Sequence, residues 1–188
     1  MTTYTAPVMD MEFIFQDILD LYQYKNLPGF QDSTPDIVSA ILREGAKVTE
    51  EVFHPLNQSG DAEGCQWQNG DVTTPKGFKQ AYKTYVDGGW NGLTADPEYG
   101  GQGMPYVLGL AINEMLVSAN HGLAAYPGLT QGAIEALQAH ASDALKQTYL
   151  PKLISGEWSG TMNLTEPQCG TDLNLMRTRA TKSSDGSY

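Results

Sequence analysis

From Pro105 onward the chain is apolar almost all the way round a helical wheel, with Leu108, Ala111, Ile112, Met115 and Leu116 on one side and Val107, Leu110 and Val117 on the others. A helix without a clear polar face has to be buried on most sides, so it belongs at the centre of a packed unit. The flanking sequence offers helices to cover it. Asp10 to Tyr24 carries Phe13, Ile14, Ile18, Leu21 and Tyr22 at helical spacing before Leu27-Pro28-Gly29-Phe30 breaks the pattern. A second helix opens at Thr34-Pro35-Asp36, where threonine suits the cap, proline the first turn and aspartate the positive end of the dipole. Ile37, Val38, Ile41, Val48 and Val52 carry it to about Leu56.

Gln58 to Thr73 reads as a polar loop. Thr74-Pro75 repeats the start signal, Phe78, Ala81, Tyr82 and Tyr85 form the inner face of a third helix, and Gly88-Gly89 ends it. Trp90 to Met104 reads as an ordered loop rich in glycine, proline and aromatic residues. Two shorter helices are expected after the apolar one, at about 130–140 and 142–150. Beyond Gly156 the texture changes. WSGTMNLT and RTRATK alternate as strands do, with the turn-rich EPQCGTD between them. The expected fold is mainly α, a helical domain over residues 1–156 followed by the incomplete start of a β domain over 157–188. That second part is too short for an independently stable sheet, so a truncation or a later completing segment is expected.

Composition narrows the function classes. The chain has 22 Asp and Glu against 11 Lys and Arg, a net charge of −11, and the acids are scattered. This balance disfavours nucleic acid and anionic membrane as partners. No apolar run approaches the ~18 residues of a membrane span. The N-terminus, MTTYTAPVMDMEF, lacks the basic and apolar regions of a secretion signal. Cys65 and Cys169 lie too far apart for a CxxC motif and read as reduced, non-ligand thiols. A cytoplasmic protein is expected.

Residue chemistry alone points most strongly to Thr161–Asp172, TMNLTEPQCGTD. A strand ending at Thr165, the turn at Pro167 and Gly170 beside the Thr171 hydroxyl gather backbone N–H groups and two hydroxyls on one surface, which suits a polar or phosphate-bearing ligand; an ordinary β-turn capped by Asp172 accounts for the same spacing. Glu166, a lone carboxylate beside proline, is expected to be a turn residue and not a proton acceptor. Gly100, Gly101 and Gly103 hint at a dinucleotide loop, but Tyr106 occupies the third glycine position and no strand precedes. His54, His121 and His140 show no metal-ligand spacing.

With these motifs in view, the chain resembles the acyl-CoA dehydrogenase family over essentially its whole length. MNLTEPQCGTDL is similar to the family's flavin signature, in which an apolar segment leads into TEP, one variable position, a small residue and Gly-Ser/Thr-Asp. Cys169 stands where the family usually has alanine and Thr171 where serine is commoner. Upstream, Lys146–Trp158 matches KxxYLPKLxxGEW, and Gly100–Gly103 matches the GGxG loop before a buried helix. GGWNGL, PEYGGQGMP and YPGLTQGA bring the resemblance nearest to the long bacterial subgroup that includes 3-methylmercaptopropionyl-CoA dehydrogenase.

The resemblance implies FAD as cofactor, an acyl-CoA as substrate, an electron-transfer flavoprotein as acceptor and a homo-oligomer for the full-length protein. It implies that Met162, Leu164 and Thr165 face the flavin ring, that Gly170 and Thr171 lie near the flavin phosphates and the CoA, and that Asn113 and Glu114 lie toward the distal end of the acyl pocket. The family's catalytic glutamate sits in a C-terminal helical domain, and nothing in residues 1–188 matches its context, so this chain by itself is expected to be inactive. Two rival readings stand beside this one, an acyl-CoA oxidase of the same fold and a non-catalytic helical interaction module.

Overall fold

The computed structural model describes residues 3–188. Its order is α1 (Val8–Phe13), α2 (Pro35–Lys47), α3 (Asn57–Glu63), the strands β1 (Gln66–Gln68) and β2 (Asp71–Thr73), α4 (Phe78–Asp87), α5 (Tyr106–His140) and α6 (Asp143–Ile154). The mainly α expectation holds. Among the described residues no helix is long and apolar enough to cross a membrane.

The apolar helix is the centre of the molecule, and it is longer than expected. α5 runs for 35 residues but leaves helical geometry at Asn120 (φ −161°, ψ 87°). The Tyr106 phenol bonds Glu135. Twenty-nine residues of straight helix would hold them about 44 Å apart, so α5 is an antiparallel pair of arms folded back at Asn120. Asn120 is buried and makes the fold-back. Its amide donates to the Phe53 carbonyl (3.1 Å) and its Oδ1 accepts the Leu123 N–H (3.0 Å), which caps the second arm. The helix expected at 130–140 is the end of that arm.

Leu108, Met115 and Leu123 of α5 pack in the principal core with Val38 and Leu42 of α2 and with Phe53. Gly45 lets α2 approach closely, since a methyl group there would collide with Ile112 Cδ1. Ala95, Ile134, Leu150, Leu153 and Ile154 form a second core between the second arm and α6. The Trp90–Met104 loop is ordered, as expected. Backbone bonds from Gln102 to Gly92 (2.8 Å) and from Met104 to Leu93 (3.0 Å) fold it on itself. The buried Asn91 amide joins it to the Leu153 carbonyl (2.6 Å).

Several local expectations are corrected. Phe13 (55 % exposed) and Ile18 (63 %) face outward, while Met11 and Phe15 are buried. The chain passes into a π-helical turn at Ile14–Ile18, with Leu19 N–H bonded to the Ile14 carbonyl (2.8 Å), and this wider turn shifts the buried register. Thr34 precedes α2 without a side-chain cap bond, and its carbonyl accepts from Val38 instead (2.9 Å). The start signal at Thr74-Pro75 is displaced, because α4 begins at Phe78 after Gly77 in the left-handed region (φ 92°). The polar loop contains α3 and a hairpin, in which Asn69 (φ 53°) and Gly70 (φ 95°) make the turn.

The largest correction falls on residues 157–188. No strand forms there; the structure has an isolated bridge between Glu166 and Cys169 and a short 3₁₀ turn at Leu173–Leu175. An alternating segment becomes a strand only when a neighbour accepts and donates its ladder bonds, and the described residues provide none.

Candidate functional site

Two regions carry candidate chemistry. The first is a cleft of about 300 Å³ between the arms of α5. Its rim holds Tyr106, Asn113 and Glu135, and Ile112, Leu116 and Tyr85 lie deeper. Ten residues of helix from Tyr106 to Leu116 give it a length of about 15 Å. Gly128 and Gly132 keep one wall low, since a Cβ at either would meet nothing within 4 Å. The Glu135 carboxylate raises the Tyr106 phenol above its ordinary pKa. Small apolar clefts with a few convergent polar groups are the usual form of a ligand site.

Asn113 is one of the residues that line this cleft. Glu114, one position on, lies away from this lining and next to Tyr4, whose phenol it helps hold above the usual value after burial itself. The structure does not bring Asn113 and Glu114 together at one end of the cleft.

The second region is the turn at Thr161–Asp172. The Glu166 and Cys169 backbones exchange two hydrogen bonds of 3.0 Å, with Cys169 buried beneath. Met162 (65 % exposed), Leu164 (43 %) and the polar residues Thr165, Gly170 and Thr171 remain open. Glu166 organises the segment. Its carboxylate takes the Thr178 hydroxyl, the Arg177 and Thr178 backbone N–H groups (2.9 Å each) and the Gln168 amide, which together hold its pKa down to about 2. Asp172 accepts from Asn174 N–H (3.1 Å). The turn is thus tied internally although no sheet supports it. A carboxylate so deeply stabilised in its charged form is a poor proton acceptor, which agrees with the reading of Glu166 as a turn residue.

The two regions share the second arm of α5. Pro127, Gly128 and Gln131 face the cleft, whereas Leu129, Thr130 and Ala133 meet Gly160. The Thr130 hydroxyl accepts the Gly160 N–H (3.1 Å) and donates to the Tyr126 carbonyl (3.3 Å). Just before Gly160, the Lys146–Trp158 motif forms the end of α6. Gly156 turns in the left-handed region (φ 74°), Trp158 N–H returns to the Lys152 carbonyl (3.0 Å), and Lys152 Nζ lies 4.3 Å above the Trp158 ring.

Sequence reasoning missed Tyr85, Gly128 and Gly132 as cleft residues. Tyr85 read as ordinary core, and the glycines gain meaning only when the arms fold back. Both cysteines are free, Cys65 exposed and Cys169 buried. No cluster of three His, Cys, Asp or Glu side chains fit for a metal occurs among the described residues.

A helical hairpin enclosing an apolar cleft, with a tied polar turn docked behind it, defines a mainly helical domain. Residues 43–157 match the model of the acyl-CoA dehydrogenase N-terminal domain, and the chain belongs to the acyl-CoA dehydrogenase family. It is 44 % identical over 186 residues to a 3-methylmercaptopropionyl-CoA dehydrogenase of Ruegeria pomeroyi, covering 99 % of this chain and 32 % of that protein. A butyryl-CoA dehydrogenase of Syntrophomonas wolfei is 34 % identical over 180 residues, covering 94 % of this chain and 29 % of the relative. The chain thus spans about a third of the length of these relatives. In fold it resembles butyryl-CoA dehydrogenase from Megasphaera elsdenii, with a TM-score of 0.67 and 24 % identity over 80 % of this chain and 38 % of that one.

Proposed function

We propose that this chain is the N-terminal part of an FAD-dependent acyl-CoA dehydrogenase that oxidises an acyl-CoA thioester to the trans-2-enoyl-CoA. The observation that carries the reading is the pairing of an acyl-sized cleft with the family's flavin-signature turn on one helix arm. In this reading the cleft takes the acyl chain, with Ile112 and Leu116 excluding water from it and Asn113 at its rim. Glu114 keeps its proposed place in the substrate site only through contacts outside the cleft lining.

The turn residues fit a flavin. Met162 and Leu164 offer exposed apolar surface for the ring, and the hydroxyls of Thr165 and Thr171 form no hydrogen bond with another described residue. At Gly170 a Cβ would meet only Thr165 Cγ2 at 3.6 Å, so the backbone is approachable. Thr165 would then hold the pyrimidine edge, while Gly170 and Thr171 would lie near the phosphates and the CoA. When bound, FAD supplies the acceptor for the β-hydride. The chain's own contribution is to orient the thioester and keep the site dry.

The α-proton requires a carboxylate base. Glu166 is held at a pKa of about 2, and Glu135 is engaged by Tyr106 at the rim. We therefore assign the base to a part of the gene product outside residues 1–188. The boundary between the helical domain and the β domain is proposed near Ser155–Glu157, where α6 ends and the family match stops. An electron-transfer flavoprotein as acceptor, a homo-oligomeric state and a cytoplasmic location complete the proposal.

Anaerobic titration with FAD and then butyryl-CoA tests it by flavin absorbance. The complete gene product should bind and bleach flavin, and the 188-residue chain should bind it poorly and bleach none. Bleaching by the short chain would place the base inside it; absence of bleaching in the complete product would overturn the dehydrogenase reading.

A further inference from the structure

Tyr85 is 5 % exposed, yet it lines the cleft. It lies toward the Asn120 end, because its ring packs 5.9 Å from that of Phe53, whose carbonyl holds the Asn120 amide. Its hydroxyl forms no hydrogen bond with another described residue. Unlike the hydroxyls of Tyr4 and Tyr82, it is not sealed among buried atoms, so it opens on the cleft. Burial pushes its phenol far above the ordinary tyrosine value, with the neighbouring Tyr82 adding to the shift, so the group keeps its proton throughout the working pH range.

Several other polar groups of the lining are already engaged or lie at the rim. The Gln131 amide nitrogen donates to the Asn91 carbonyl, Tyr106 bonds Glu135, and Asn113 is exposed at the rim. The lining also holds the apolar side chains of Ile112, Leu116 and Leu93, which neither donate nor accept, beside Trp90 and Thr94. A buried donor facing an apolar cleft carries a cost until a ligand atom accepts from it. An all-carbon acyl chain offers no such atom.

We propose that Tyr85 is a specificity-determining residue whose hydroxyl donates to a thioether sulfur near the methyl end of a short acyl-CoA chain. The assignment rests on the cleft being the acyl pocket, and it adds to that reading a reason for preferring a heteroatom-bearing chain over its hydrocarbon isostere. Sulfur is a weak acceptor and is weakly hydrated, so a single donor in a dry site compensates its burial. No covalent step is involved.

The test uses the complete gene product with its flavin and two isosteric substrates, 3-(methylthio)propanoyl-CoA and pentanoyl-CoA. The ratio of their kcat/KM values is compared between the unmodified enzyme and Tyr85→Phe, so that differences in substrate reactivity cancel. The ratio should fall by about 2- to 10-fold in Tyr85→Phe, the range of one neutral hydrogen bond. A lost packing contact would weaken both substrates and leave the ratio in place. Should Tyr85→Phe fail to fold, 3-fluorotyrosine at position 85, a more acidic and nearly isosteric phenol, should raise the ratio. An unchanged ratio in the variant that folds overturns the assignment. Gly128→Leu separates this failure from that of the acyl pocket, since filling the cleft should raise KM for both substrates. If it raises neither, the pocket reading falls and Tyr85 with it.

Discussion

The Thr130 hydroxyl accepts the Gly160 N–H at 3.1 Å and donates its own hydrogen bond to the Tyr126 carbonyl, so one buried side chain joins the wall of the cleft to the segment leading into the turn at Thr165–Thr171. Gly160 must lack a side chain for this, because a Cβ would stand 2.6 Å from that of Ala133. The position of the turn relative to the cleft depends on this contact.

Replacing Thr130 by valine keeps the shape and removes both bonds. A buried N–H left without a partner costs about 1–3 kcal/mol, and the partly buried Gly160 N–H falls toward the lower end. Thr130→Val should therefore lower the urea midpoint of the 188-residue chain with an unchanged slope, and should weaken flavin retention in the complete gene product. Thr130→Ser should restore most of both. Equal loss in the serine variant would mean that the methyl group, and not the hydroxyl, matters.

Asn120 is the second such position. Asn120→Ala removes the cap on Leu123 and the donor to Phe53 together. Caps contribute about 1 kcal/mol and buried hydrogen bonds a similar amount, so a loss of about 2 kcal/mol is expected. Because the arms hinge there, amide exchange should accelerate across residues 121–126 before the rest of α5. Uniform acceleration along both arms would show that Asn120 does not set the fold-back.

The pattern of successes and failures has a physical basis. The Pro105 helix was legible because its burial is written in every position. The fold-back was not, since a single asparagine inside an apolar run reads as tolerated until its two partners, Phe53 and Leu123, are in place. The hairpin at Asn69-Gly70 was hidden by the polarity of its strands, whose Trp67 and Val72 pair on an exposed face. The turn at Thr165–Thr171 was legible through resemblance, but the groups that hold Glu166 come from Arg177 and Thr178, too far along the chain for a spacing argument. Gly128 and Gly132 carried no signal of the cleft, because the open space beside them exists only once the arms of α5 lie against each other.

Glu166 has a distinct pH signature. Its carboxyl titrates near 4.5 when free and near 2 in the folded turn. A depressed carboxyl stabilises the fold above its unfolded pKa and loses that contribution as the pH falls through the folded value. Protection of the Arg177 and Thr178 amides should accordingly fade between about pH 4.5 and 2, and Glu166→Gln should remove this pH dependence. The same substitution in the complete gene product should leave bound flavin reducible by butyryl-CoA. Normal flavin content with no reduction would identify Glu166 as the base.

The low cleft wall separates stability from binding. Gly128 lies in the second arm, exposed, with open space where a Cβ would stand. A helical glycine replaced by a residue of good helix propensity gains about 0.5–1 kcal/mol when nothing obstructs it. Gly128→Leu should therefore raise or preserve the melting temperature of the 188-residue chain. The new side chain stands in the lining of the cleft, where the acyl chain is proposed to lie. KM for butyryl-CoA in the complete gene product should then rise several-fold or more while flavin content stays normal. A variant that destabilises the fold would be ambiguous elsewhere in the helix, but here the predicted signs are opposite. Higher stability with unchanged KM would show that the acyl chain does not enter between the arms.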